Sequence, residues 1–246
     1  TLAGAIALAS ASGDVIKVAH THTGDNALGA DTTWTVLNNI SIISVDKTSS
    51  DAPTAMGTSA WLGSSTTSIA LTLAGAYKAF CNGITFRNGG STNKAFAFGT
   101  SDGSAFALNS CYIWLGTSSA SATISFGPAS TLNSCTRVAD STLRFGATGQ
   151  GILSIGVNEF VGCAVATAGS APTTLFGDPA RGSHTTVVGS DLSHCGTGTL
   201  VANQASFSTI FKFIQCKLGT NYVARATPSS PANLSNGETW IMDCSS

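Results

Sequence analysis

Charge is what this sequence has least of. Charged residues make up 9% of the chain, against roughly a quarter in ordinary globular domains. The formal net charge is −1, and lysines and arginines are scattered singly. That removes the basic footprint by which a domain grips nucleic acid or an anionic membrane surface, so neither is expected as a partner. Long apolar runs are missing too. The oiliest stretches, such as Thr209–Ile214, are strand-sized, well short of the roughly 18 residues a membrane-crossing helix needs. Disorder is excluded from the other side. Disordered chains are apolar-poor and charge-rich, whereas this one is 43% hydrophobic and nearly neutral. Nothing reads as a linker, so the 246 residues are taken as one domain.

No CxxC pair occurs among the seven cysteines, and no histidine stands near them at zinc-finger spacing. Seven is odd, so they cannot all pair within one chain. Free, buried thiols suit assembly in a reducing cytoplasm.

What is present is a repeat. Cys81, Cys111, Cys135, Cys163, Cys195, Cys216 and Cys244 are spaced by 21–32 residues. Three positions upstream stand Lys78, Leu108, Leu132, Phe160, Leu192, Phe213 and Ile241, all but the first large and apolar. Leu108-Asn109-Ser110-Cys111 and Leu132-Asn133-Ser134-Cys135 are identical copies. Phe-Gly pairs recur at Phe98-Gly99, Phe126-Gly127, Phe145-Gly146 and Phe176-Gly177, several closing a short alternating run such as Ala122–Phe126. Alternation of that length signals a strand, and the glycine signals a turn. Helical periodicity is missing over most of the chain, and a sandwich of hairpins gives no reason for one marker to recur. A solenoid does, because each coil passes the same point once and equivalent side chains stack about 4.8 Å apart. The expected fold is a single-stranded right-handed parallel β-helix, all-β. The seven cysteines are its inward structural ladder, and its length is roughly 40 Å.

Residues 1–14 read as an N-terminal capping helix and turn, and residues 15–246 as the β-helix domain. Thr1–Ala11 is rich in Ala and Leu, with Leu2, Ile6 and Ala9 on one face. An open solenoid end exposes core and unpaired backbone, which such a helix would cover. Ser12-Gly13-Asp14 turns the chain, strands follow at Val15–Val18, Trp34–Leu37 and Ile40–Val45, and Asn38-Asn39 is a turn. A helix, then Ser-Gly-Asp, then Val-Ile-Lys-Val resembles the opening of pectin-lyase-like right-handed β-helix proteins. Asn39–Val45 resembles the strand that follows in them. Within that superfamily the chain is most similar to small β-helix proteins of tailed-bacteriophage particles. The match is specific over residues 1–46 and one of style beyond them.

Candidate chemistry is sparse. Polysaccharide-cleaving relatives carry an acidic calcium cluster, yet no two of these acids are adjacent and no D-x-D occurs. Glycoside hydrolysis needs two carboxylates within roughly 5–9.5 Å. Stacking could align Asp140 with Asp178 or Asp191. His20-x-His22 followed by Asp25 has the look of metal ligands, since i and i+2 on a strand share a face; the alternative is a polar edge where the first strand ends. His194-Cys195 is not expected to be an activated thiol, because neighbours on a strand face opposite ways. Gly146–Gly151 lacks the Lys-Ser/Thr of a phosphate loop and reads as a turn. Trp34, Trp61, Trp114 and Trp240 sit in apolar strand contexts. Thr48–Ser68 looks like a long insertion, and its Met56, Trp61 and Leu62 are the candidate subunit contacts.

No catalytic residue, metal or cofactor is expected. The resemblance implies a structural virion protein, assembled in the host cytoplasm, that decorates or cements a capsid as a homotrimer against the major capsid protein or other virion proteins. The alternative is a tail-associated adhesin that binds or cleaves host polysaccharide.

Overall fold

In this computed structural model the described residues are 5–6, 8–22, 32–35, 38–46, 55–57, 60–64, 71–74, 77–90, 95–117, 121–127, 133–177, 182–195, 197–202, 209–225 and 237–246. They form a parallel β-solenoid with three sheets. Sheet A stacks Asp14–Ala19, Ile40–Asp46, Lys78–Asn82, Ala105–Asn109, Cys135–Ala139, Gly156–Val161, Ser183–Val188, Thr209–Ile214 and Gly237–Met242. These nine strands define nine levels. Within a level the chain runs from A to sheet C and then to sheet B. Sheet C stacks Ala60–Ser64, Ile84–Asn88, Tyr112–Leu115, Thr142–Phe145 and Ala164–Thr167. Single parallel bridges from Ala164 to Asp191, Lys217 and Ser245 extend its line. Sheet B runs from Thr32–Thr35 to Val223–Arg225 in eight strands. The described pairings are parallel except that of Ala55–Met56 with Val45–Asp46.

Alternation sets which side chains face in. In Ala105–Asn109 the buried residues are Phe106 and Leu108, and in Ile84–Asn88 they are Ile84, Phe86 and Asn88. Because the stacked strands of the three sheets pair in parallel register, inward residues stack level upon level. One row on sheet A runs through Ile42, Cys81, Leu108, Val138, Phe160 and Val187. Inside, Phe86, Phe98, Phe126, Phe160, Phe176 and Phe211 form an unbroken chain with ring centroids 5.2–5.6 Å apart. Burying each ring contributes roughly 1.5–3 kcal/mol, and favourable ring pairs add about 0.5–1.5 kcal/mol beyond the area buried.

The turn from sheet A to sheet C is the most regular part of the coil. Its first residue is left-handed at Gly83, Ser110, Asp140, Gly162, Gly189, Gln215 and Asp243, with φ between 47° and 67°. The next residue points inward and is, in order, Ile84, Cys111, Ser141, Cys163, Ser190, Cys216 and Cys244. In the last six of these, the thiol or hydroxyl donates to the carbonyl two residues back: Asn109, Ala139, Val161, Val188, Ile214 and Met242 respectively, at 2.7–3.6 Å. A left-handed non-glycine residue costs roughly 1–2 kcal/mol, and this bond across the turn offsets part of that.

The ladder is therefore not one of cysteine. Each level from the third to the ninth holds one cysteine, but only Cys111, Cys163, Cys216 and Cys244 occupy the turn. Cys81 lies three residues before the equivalent Ile84, in the inward row of sheet A against Ile42 and Leu108. Cys135 opens its sheet A strand and is exposed, and Cys195 ends a short 3₁₀ turn, Ser193–Cys195. Serine fills the turn at levels five and seven because its hydroxyl makes the same bond.

The expected helix over Thr1–Ala11 falls partly outside the described residues, Leu2 among those. What is described is one helical turn, in which the Ala9 amide donates to the Ala5 carbonyl at 3.0 Å and Ile6 and Ala9 are buried. Phe98, Phe126 and Phe176 close sheet B strands, whereas Phe145 closes a sheet C strand. Gly146–Gly151 is a turn tied by Gln150, whose Oε1 accepts from the Gly146 and Ala147 amides while its Nε2 donates to the Gly116 carbonyl.

Candidate functional site

Of the candidate metal ligands the structure describes His20 and His22, and these do not share a strand face. The first strand ends at Ala19, and His20-Thr21 is already a turn in which the His22 amide donates to the Ala19 carbonyl. Strand alternation therefore does not align the two imidazoles. His20 Nδ1 lies 3.2 Å from Asp46 Oδ1, and Asp25 lies outside the described residues. Among the described residues no group of three His, Cys, Asp or Glu side chains could hold a metal ion.

The described carboxylates are dispersed over the levels. Glu159 meets Arg137 at 2.9 Å. Asp191 accepts from the Ser193 hydroxyl and amide and lies 3.4 Å from Lys217 Nζ; the Ser193 hydroxyl bond contributes most to lowering its pKa below the usual value. Asp140 belongs to level five and Asp191 to level seven, so two stacking steps, about 10 Å, separate their levels. Asp178 lies outside the described residues.

Burial suppresses thiol ionisation. It pushes Cys111 and Cys163 up to about 11 and Cys195 up to about 12, and raises Cys81 and Cys216. A thiolate is the reactive form, so these are packing groups. His194 is exposed and Cys195 buried, as neighbours facing apart, although on a 3₁₀ turn rather than a strand.

Two outer faces stand out. Sheet C carries the first. Residues of Thr48–Ser68 supply a strand of that sheet, Ala60–Ser64, rather than only an insertion. Its Leu62 faces inward onto Phe86 and is buried, which removes it from the contact candidates. Trp61 faces outward. The Met56 backbone pairs with Val45; its side chain lies outside what is described. Outward on successive levels come Trp61, Arg87, Trp114 and Arg144. The Arg87 guanidinium lies 3.8 Å from the Trp61 ring centre and 4.3 Å from that of Trp114, and Arg144 lies 5.4 Å from Trp114. Tyr112 stands beside them, in register with Thr85 and Thr142. Sequence reasoning missed the two arginines. Alternation would have placed them, since each sits on the same parity of its strand as the tryptophan.

The second face is the outside of sheet A, where a shallow groove of about 400 Å³ runs past Phe80, Ala105, Ala107 and Cys135 between Lys78 and Arg137. Exposed Cys135 belongs to this surface, not to the core.

No family model, curated protein or solved structure matches the chain. The parallel β-solenoid is accordingly established by its own geometry.

Proposed function

We propose that this chain is a non-enzymatic structural protein of a bacteriophage particle, a rigid rod that decorates or cements the capsid as a homotrimer. The observation that carries this reading is the unbroken core. Nine sheet A strands in one parallel stack, with phenylalanines in contact from Phe86 to Phe211, make a stiff body about 40 Å long. A body of that kind offers flat outer faces for contact with other proteins. The phage placement rests on the resemblance of residues 1–46. Imaging particles assembled with and without the protein tests it: a surface density and resistance to heat or osmotic shock should both disappear without it. Unchanged particles, or isolated monomer that cleaves host polysaccharide, would overturn it.

One observation favours a second reading, an adhesin for anionic polysaccharide. The Trp61–Arg87–Trp114–Arg144 row offers guanidinium groups and aromatic edges over about 14 Å, three stacking steps. Binding of a carboxylated polysaccharide that weakens at least tenfold in Arg144→Ala would support it, and no binding would discard it.

A further inference from the structure

We infer that the outer face of sheet A is where two copies of this chain meet. Of seven large hydrophobic side chains that are exposed among the described residues, four project from this face: Val15, Phe80, Val157 and Trp240, between 37% and 55% exposed. Tyr77, also exposed, immediately precedes the third strand. The inward residues of the same strands are committed to the core, whereas these outward ones stay exposed; of them Trp240 is tied within the chain, its Nε1 donating to Glu238 and Lys212 lying over its ring. Along one edge Val161, Val188, Ile214 and Met242 continue in register as a half-buried apolar row. Sheet B is more polar outward at Thr123 and Ser125, with half-buried Leu153 beside them and exposed Val223 on its last strand.

The occupant follows from charge and area. Lys17, Lys78 and Lys212 lie on the face with Glu238, beside the Arg137–Glu159 ion pair, so a copy of the same surface meets it with charges of both signs. Nine strands spaced about 4.8 Å, each five to seven residues long, cover about 700 Å² per partner, close to the roughly 800 Å² of a standard interface. Its middle row runs from Phe80 through Ala107, Arg137, Glu159 and Lys212 to Trp240, so apolar and charged side chains are interleaved, as in a non-obligate protein contact. The inference stands whether or not the assembly is viral; a face that meets its own copy builds a two-fold pair, so a homotrimer would need a further surface.

Sedimentation of the native chain, Val157→Asp, Phe80→Ser and Ser125→Asp tests it, with thermal unfolding as the check on folding. The native chain should associate at micromolar concentration, and Val157→Asp and Phe80→Ser should weaken association at least tenfold. Ser125→Asp, on the outside of sheet B, should behave as native. A native chain that stays monomeric at about 100 μM overturns the inference and leaves the face to a different protein. So do folded Val157→Asp and Phe80→Ser chains that both associate normally. The proposed virion role has its own test on particles, so the two can fail separately.

Discussion

The amide of Cys111 donates to the hydroxyl of Ser141 at 3.0 Å, one level further along the stack. The same bond joins Cys163 to Ser190 at 3.0 Å, and Cys216 to the sulfur of Cys244 at 3.3 Å. Cysteine and serine alternate in this turn because each supplies a small side chain that donates within its own turn and accepts from the level before.

That equivalence sets the cost of substitution. Cys111→Ser and Cys163→Ser should change stability by less than about 1 kcal/mol, since the hydroxyl makes the bond the thiol made. Ser141→Val should cost about 1–3 kcal/mol, because the Cys111 amide and one lone pair of the Ala139 carbonyl lose a buried partner. Cys81→Ser should cost about 1–3 kcal/mol, because Cys81 sits between Ile42 and Leu108 in an apolar row. Urea unfolding of the four variants measures the differences.

Much of the fold was legible in the sequence. Alternation gave strands such as the one within Ala122–Phe126, observed as Thr123–Phe126, and one cysteine per level gave the number of stacked coils. The alignment within a level was not legible from cysteine alone. Leu108-Asn109-Ser110-Cys111 ends a strand, so Ser110 is left-handed and Cys111 turns inward. The identical Leu132–Cys135 leads into a strand, so Cys135 faces out and the turn comes later, at Asp140-Ser141. The better signal was a residue that tolerates a left-handed backbone followed by Cys or Ser, between two alternating runs. The outer faces were half legible. Alternation separates outward Trp61 from inward Leu62, but stacking Arg87 between two tryptophans requires the register between levels.

Alkaline pH should destabilise the protein. The folded pKa values of Cys111, Cys163 and Cys195 are raised by burial from 9.0 to about 11, 11 and 12. Their contribution is fully present below pH 9 and is lost as pH rises through 9 towards 11–12, because unfolded thiols ionise first. Each thiol adds a slope approaching about 1.4 kcal/mol per pH unit in that window. Unfolding free energy against pH should fall less steeply in Cys111→Ser than in the native chain.

Thr136 is buried with a hydroxyl that has no hydrogen-bond partner among the described residues, in register with Asn158 of the next level. Valine has nearly the same shape and no hydroxyl to desolvate. Thr136→Val should therefore raise stability by about 1 kcal/mol, read as a higher thermal midpoint.

Gly127 follows Phe126 at φ +89°, and a β-carbon there would collide with the Ile155 carbonyl of the next level. Gly127→Ala should destabilise by about 2–4 kcal/mol, from the left-handed backbone and the shift forced on Ile155. A thermal midpoint lowered by several degrees would show it.

Site-resolved alkylation of the seven thiols in the native chain, diluted below the concentration at which it associates, tests the register of the whole solenoid at once. Cys135 should react fastest and Cys244 more slowly, while Cys81, Cys111, Cys163, Cys195 and Cys216 should react only on unfolding. Protection of Cys135 together with rapid labelling of Cys111 or Cys163 would contradict the stacking described.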